Sequence, residues 1–300
     1  MRRRDRGAAL ILVLGAVAIL AIVAVEIASR ASADTLRTAR AERDAAFRRL
    51  FDSAAETSRG ILLEREPRDF DTLKDPWNRD VPFDLAEGER AVLRLEDESG
   101  KLNLARTWSH PTEAPAIRER VGRLFEYLRR HEPGRSRELR ETETKVLARL
   151  TAPRPLLTLD GLRESGLEAD AVFGERGIRR YLTCFGDGRV NLNTADRAVL
   201  FALHEEFDEA LVERIASFRT GKAFEDPKDL MLIDGVVVRS LVNGQFVVTR
   251  DLHERISGFI TVKSAAFGGR VRAEARGRSR EGWVFLSPRG TRLASEEILP

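Results

Sequence analysis

MRRRDRGAALILVLGAVAILAIVAVE, residues 1–26, is the stretch on which the fold of this chain turns. From Ala8 to Val25 no side chain carries a charge, an unbroken run of 18 residues. At ~1.5 Å per residue that run reaches roughly 27 Å as a helix, just enough for the hydrocarbon core of a bilayer. Arg2, Arg3, Arg4 and Arg6 precede it, and Glu26 is the first charge after it. This arginine excess predicts a cytoplasmic N-terminus, with everything beyond Glu26 exported. A cleavable secretory signal is one alternative, because Ala31-Ser32-Ala33 offers an A-x-A site. Against it, the run exceeds the ~7–15 residues of a usual signal core, and Glu26 and Arg30 interrupt the approach to the cut. A plain membrane anchor is the other alternative.

The helix does not end at the membrane. Residues 33–66, ADTLRTARAERDAAFRRLFDSAAETSRGILLERE, place Leu36, Ala39, Phe47, Leu50, Ala54 and Ile61 at mostly helical spacing, and the first proline is Pro67. A short basic leader ending in glycine, followed directly by an apolar run that continues as a long helix, resembles a type IV prepilin or pseudopilin. The resemblance implies peptidase cleavage between Gly7 and Ala8, with N-methylation of the new terminus. It also singles out Leu12. Major pilins carry a glutamate at this fifth mature position, paired with the terminal ammonium of a neighbour. An unpaired carboxylate in the membrane is costly, so a subunit with no neighbour ahead of it does better with an apolar residue.

Charge separates leader from body. The sequence pI is about 9.3, yet four of the 51 basic residues and one of the 48 acidic ones lie in the first seven positions, leaving 47 of each. A neutral body lacks the broad positive footprint on which non-specific DNA binding relies. The single cysteine, Cys184, excludes an intramolecular disulfide and is compatible with either redox compartment.

Two strings in the first third extend the resemblance. Asp71-Thr72-Leu73 with Asp75-Pro76-Trp77 is similar to the D-x-L…P-W segment of the protein K group, minor pseudopilins of type II secretion systems. AVLRLEDESGKLNLART, residues 91–107, is similar to that group's D-E-S-G-K-x-N-L hairpin. By residue type, Ala91 to Leu95 reads as a strand, Glu98-Ser99-Gly100 as a turn and Lys101 to Leu104 as the returning strand. From about Trp108 to Phe246 the pattern turns helical. IRERVGRLFEYLRRHE aligns Ile117, Val121, Leu124, Phe125 and Leu128 on one face. HEPGRSRELRE reads as a solvated linker. Thr158 or Asp160 is placed to cap a later helix that breaks near Gly166.

VNLNTADRAVLFAL, residues 190–203, followed by IASFRTGKAFEDPKDL, is written like a helix-hairpin-helix DNA-binding module. Asn193 and Thr194 stand where a cap is expected, Ala210 to Phe218 reads as the second helix, and Pro227 to Leu230 opens a third. A DNA-binding hairpin needs a glycine-rich turn so that backbone N–H groups reach a phosphate. Here the turn is His204-Glu205-Glu206-Phe207-Asp208-Glu209, with four carboxylates and no glycine. A like-charge contact at ~4 Å costs about 4 kcal/mol at an effective dielectric near 20. The sequence therefore reads as a packing and docking unit, and no nucleic-acid partner is expected.

Residues 258–286 read as strands: Phe259 to Phe267, a turn at Gly268-Gly269, Arg270 to Arg276, and Gly282 to Leu286. Arg270, Arg272, Arg276, Arg278 and Arg280 cluster here, either as charge guarding a sheet edge or as a docking face for an acidic neighbour. No catalytic constellation is present. His110, His131, His204 and His253 are scattered, and neither a phosphate loop nor a G-x-S-x-G elbow occurs. Glu96, Asp97 and Glu98 are a conceivable hard-cation cluster, though a solvated hairpin is the default reading. The resemblance admits calcium with no ligands assigned, and no other cofactor is expected.

The expected fold is α+β: a pilin-like long N-terminal helix packed on an antiparallel sheet, with a large inserted all-α domain of helix-hairpin-helix-like modules. The expected divisions are leader 1–7, membrane helix 8–25, exported helix 26–63, first part of the sheet domain 64–107, helical modules 108–190 and 191–246, C-terminal strands 247–290 and tail 291–300. The resemblance implies a non-enzymatic minor pseudopilin of the inner membrane, single-pass with a periplasmic body. It would cap a pseudopilus tip with other minor pseudopilins and help start its assembly. Its partners would be those subunits, the major pseudopilin, the prepilin peptidase and the inner-membrane secretion platform. The rival reading is a membrane-anchored helix-hairpin-helix protein handling DNA on the exported side.

Overall fold

A computed structural model describes residues 4–65, 68–242 and 245–298, with side chains omitted at 4–12, 240–247, 249 and 295–298. Helix α1 runs without a break from Arg4 to Leu63, 60 residues. Its buried stripe is Ala46, Phe47, Leu50, Ala54, Ser58 and Leu62, close to four-residue steps that keep one face turned to the body. Leu36, expected on that stripe, is 59% exposed, because the body begins only near residue 45.

Two strands follow, β1 (Asp80–Ala86) and β2 (Glu89–Asp97). The chain then leaves the sheet for residues 98–266. In chain order this segment forms β3 (Leu102–Asn103), α2 (Arg106–Ser109), α3 (Ala114–His131), α4 (Ser136–Thr151) and α5 (Ala169–Phe173). It continues with β4 (Leu182–Thr183), β5 (Val190–Asn191), α6 (Arg197–Ala202), α7 (Glu209–Gly221), β6 (Val237–Val242), β7 (Gln245–Asp251), α8 (Leu252–Ile256) and β8 (Ile260–Thr261). Strands β9 (Phe267–Ala275), β10 (Arg278–Leu286) and β11 (Arg292–Ile298) complete the sheet.

The five-stranded sheet has the order β1-β2-β9-β10-β11, every pair antiparallel. It is an up-and-down meander opened once. Asp97 at the end of β2 faces Phe267 at the start of β9, so residues 98–266 are an insertion in what would otherwise be a hairpin. Alternation along β2 puts Ala91, Leu93 and Leu95 under α1, beside Val271, Ala273, Val284 and Leu286. Ion pairs Asp44–Arg280 and Asp52–Arg292 fasten the helix at the margins, as does Glu42 with Arg276. The insertion has its own core, in which Val121, Leu124 and Phe125 of α3 meet Val146, Leu162, Leu200 and Ile215. The helix-plus-sheet architecture with a helix-rich insertion agrees with the expected fold class.

Several local expectations are corrected. Residues 91–104 do not form a hairpin: β3 pairs in parallel with β4 of the insertion, and β9 takes the place beside β2. Gly268-Gly269 is not a turn but lies inside β9. A Cβ at Gly268 would come within 2.4 Å of Glu98 Oε1, and one at Gly269 within 3.1 Å of Ser58 Oγ on α1, so these glycines let neighbours close in. The turn falls instead at Arg276 (φ 51°) and Gly277 (φ 72°), the two positive values a tight hairpin requires. The arginines of β9 and β10 consequently guard no edge, since both strands are interior. HEPGRSRELRE is not a loose linker: α4 starts at Ser136, with Arg135 tying Glu132 to Glu138. The turn at Leu159–Ser165 has no side-chain cap from Thr158, and it does end at Gly166 with φ 78°. The cap of α6 is Asp196, which accepts from the Ala198 N–H, rather than Asn193 or Thr194.

Candidate functional site

Two regions carry the features that sequence singled out. The first is the free half of α1. From Val13 to Val25 its side chains are exposed. Among the described residues, α1 is the one helix long and apolar enough to cross a membrane. Gly7, Ala8 and Leu12 lie on its backbone; their side chains fall outside the described residues.

The second is the joint where the insertion leaves and re-enters the sheet. Three of the strings quoted above, 71–77, 91–107 and 190–203, converge there. Asp97 ends β2, and its carboxylate accepts from Ser99 N (2.8 Å), Asn191 Nδ2 (2.9 Å) and Thr194 Oγ1 (2.6 Å). Burial pushes this carboxyl up to about 6, against the pull of those donors. Glu98, fully buried, sits between Lys101 Nζ and Arg179 Nη2, each at 3.0 Å, and accepts from Thr183. Burial pushes Glu98 up as well, but Lys101, Arg179 and Thr183 together outweigh it and hold the group below its ordinary value. The Arg179 guanidinium stacks 3.6 Å from the Trp283 ring on the sheet's outer face. Asp71 accepts from Ser264 N and pairs with Arg65, both at 2.7 Å. Burial nevertheless leaves it raised. Asp75 accepts from Thr72 N and Trp77 Nε1. Asn193 spans Phe224, giving to its carbonyl and accepting from its N–H.

This arrangement is a clamp. Buried carboxylates at the strand end are matched by donors from remote parts of the insertion, which fixes how that insertion sits on the sheet. The default expectation of a solvated hairpin at 96–98 is overturned by the burial of Asp97 and Glu98. The cation-cluster reading does not fit either. Lys101 Nζ lies 3.0 Å from both Glu96 Oε2 and Glu98 Oε1 and already supplies the positive charge. Among the described residues no group of three His, Cys, Asp or Glu side chains is set to hold a metal, and no calcium ligands can be named.

The α6–α7 loop is occupied by its own chain. Arg250 and Arg255 pair with Glu206, and Asp208 caps α7 through Leu211 N. Arg120 and Arg123 donate to the carbonyls of Leu203, Phe201 and His204. Within the turn the Glu206 N–H donates to His204 Nδ1 and the Phe207 N–H to the His204 carbonyl. Of the turn's four carboxylates, Glu206 and Asp208 are therefore engaged internally. Cys184 is buried in the insertion's core.

No protein-family model matches the chain, and no curated protein matches it. Among solved structures, a chain of the GspK-GspI-GspJ complex from the type 2 secretion system of enterotoxigenic Escherichia coli is similar in fold. The TM-score is 0.60 at 16% identity, over 88% of this chain and 99% of that one.

Proposed function

We propose that this chain is a minor pseudopilin of a type II secretion system, a structural subunit that caps the pseudopilus tip with other minor pseudopilins and helps start its assembly. The observation that carries the proposal is the combination of a continuous 60-residue helix, apolar and exposed in its first half, with a meander sheet opened by a 98–266 insertion. The likeness to a chain from a complex of three secretion-system proteins supports the same reading. In it the N-terminus is cytoplasmic, the helix spans the inner membrane and the body is periplasmic. Prepilin peptidase cuts Gly7–Ala8, and the partners are the other minor pseudopilins, the major pseudopilin and the inner-membrane platform. Leu12 then marks a subunit with no neighbour ahead of it. Leu12→Glu should give no gain in assembly, since an unpaired carboxylate at the bilayer centre costs about 2.5–3.5 kcal/mol on insertion scales.

The deciding experiment images tagged copies of the intact protein on assembled filaments. Signal restricted to ends, with mass spectrometry placing the mature terminus at Ala8, supports the proposal. Copies spread along the length at the abundance of the major subunit would overturn the tip assignment, and a mature terminus at Asp34 would establish an ordinary signal peptide instead. Salt-dependent DNA binding by the exported body would favour the rival reading.

A further inference from the structure

The outer face of the sheet, opposite α1, is not covered along its whole length. A cavity of 490 Å³ opens where that face meets the insertion, lined among others by Arg94, Arg272, Arg180, Arg219, Val92 and Leu73. A second cavity of 450 Å³ shares Leu73, Arg197 and Arg219 with it and reaches Lys74. The two form one trough.

Its charge is unevenly satisfied. Arg197 is held tightly by Glu213 at 2.8 Å and Lys101 by Glu96 at 3.0 Å. Arg94 is only loosely paired, 3.5 Å from Asp80, as are Arg180, 3.8 Å from Asp196, and Arg272, 3.8 Å from Glu281. Arg219 spends its Nη1 on the Leu192 and Ala195 carbonyls, and Lys74 gives its ammonium to the Thr220 carbonyl; among the described residues neither forms an ion pair with a carboxylate. The register sharpens the point. Arg94 lies directly opposite Arg270, with Arg272 two residues along on the same face. Like charges so placed oppose the sheet; Glu281 holds Arg270 closely, while Arg94 and Arg272 keep only their longer contacts to Asp80 and Glu281. Val92 and Leu73, 38% and 48% exposed, stand between the cations.

We infer that this trough docks an acidic, extended peptide segment of another exported-side protein chain, its carboxylates meeting Arg94, Arg272 and Arg219 and its apolar side chains meeting Val92 and Leu73. A peptide is favoured over a nucleic acid by those apolar contacts and by the neutral body, 47 positive against 47 negative side chains beyond the leader. That the segment belongs to another chain on the exported side rests on the proposed function; the groove chemistry does not.

The test titrates the full chain in detergent into a fluorescein-labelled dodecapeptide made of Glu-Leu-Glu repeats and reads anisotropy. Saturable binding is expected, weakened at higher salt. It should fall about tenfold in the Arg94→Gln/Arg272→Gln variant, as expected when two charge contacts are lost. Lys74→Gln at the far end should give a smaller loss. Arg90→Gln/Arg278→Gln, exposed positions outside the trough, should bind as the parent does. Matching melting curves for all variants exclude misfolding. No saturable binding, equal affinity in the Arg94/Arg272 variant, or displacement by duplex DNA of equal charge would overturn the inference. Peptide binding by a chain found along the whole filament would sink the tip assignment and leave the trough standing.

Discussion

Asp97 and Glu98 are adjacent carboxylic acids, both buried, and their surroundings drive them in opposite directions. Glu98 has two cations within 3.0 Å, whereas Asp97 has only neutral donors. Glu98→Gln leaves Arg179 in the interior without its carboxylate, while Lys101 keeps Glu96, and breaking a buried pair from one side typically costs about 3–5 kcal/mol. An unfolding free energy lowered by that amount in urea at pH 7.5 is the expected result, and a change below ~1 kcal/mol would show the clamp to be dispensable. The pH dependence separates the two. Asp97 binds its proton more tightly folded, near 6, than unfolded, near 3.8. Its contribution is fully present below pH ~4 and is lost as pH rises through 6, by up to about 3 kcal/mol. Glu98 is depressed, so its contribution is present above its unfolded value and fades as pH falls through the lower folded one. Asp97→Asn should flatten the pH 4–6 part of a stability profile, and an unchanged slope there would refute the assignment. The string holding both residues was legible as a motif. Its role was not, because Arg179, Thr183, Asn191 and Thr194 lie 81 to 97 positions away.

At the scale of elements, what sequence showed follows period and what it hid follows contact. The stripe of α1, the face of α3 and the alternation of β2 are all written in apolar spacing. The errors arose where glycine or polar residues serve a neighbour. Gly268-Gly269 reads as a turn by residue type, yet β9 passes through it under Glu98 and Ser58. A methyl group at Gly268 meets Glu98 Oε1, the end of a side chain that Lys101, Arg179 and Thr183 already hold in place, so it has nowhere to retreat. Gly268→Ala should therefore destabilise by about 1–3 kcal/mol. Gly60→Ala is the counterpart. Gly60 lies on α1 with nothing within 4 Å of an added Cβ, and alanine there should stabilise by roughly 0.5–1 kcal/mol. Thermal midpoints moving in opposite directions bear this out; a neutral Gly268→Ala would mean that the Glu98 contacts are loose. Helix α4 was missed for another reason: its buried face is thin, Leu139, Thr142, Val146 and Leu150, amid charged residues.

At the scale of the whole molecule, the adjacency of Asp97 and Phe267 has a direct consequence. Because β2 and β9 are antiparallel neighbours, a two-residue Asn-Gly turn could join them in place of residues 98–266. What remains is α1 on a continuous five-stranded meander, whose helix-facing core of Phe47, Leu50, Leu93, Val271 and Val284 does not draw on the insertion. The insertion does cover the outer face at one end, where Phe185 stacks on Phe285 at 3.9 Å and Arg179 on Trp283. The trimmed chain therefore needs Trp283→Thr and Phe285→Thr to stay free of an apolar patch. So built, it should insert in the membrane and its body should melt cooperatively by circular dichroism. In the proposed role, the insertion is the bulk that would obstruct a subunit stacked above. Removing it should let tagged, trimmed copies enter the filament shaft as well as its end, at a ratio to the major subunit well above that of the intact chain. If the trimmed chain folds and processes normally yet stays confined to ends, restriction to the tip does not come from the insertion, and the contacts of α1 around Leu12 become the place to look.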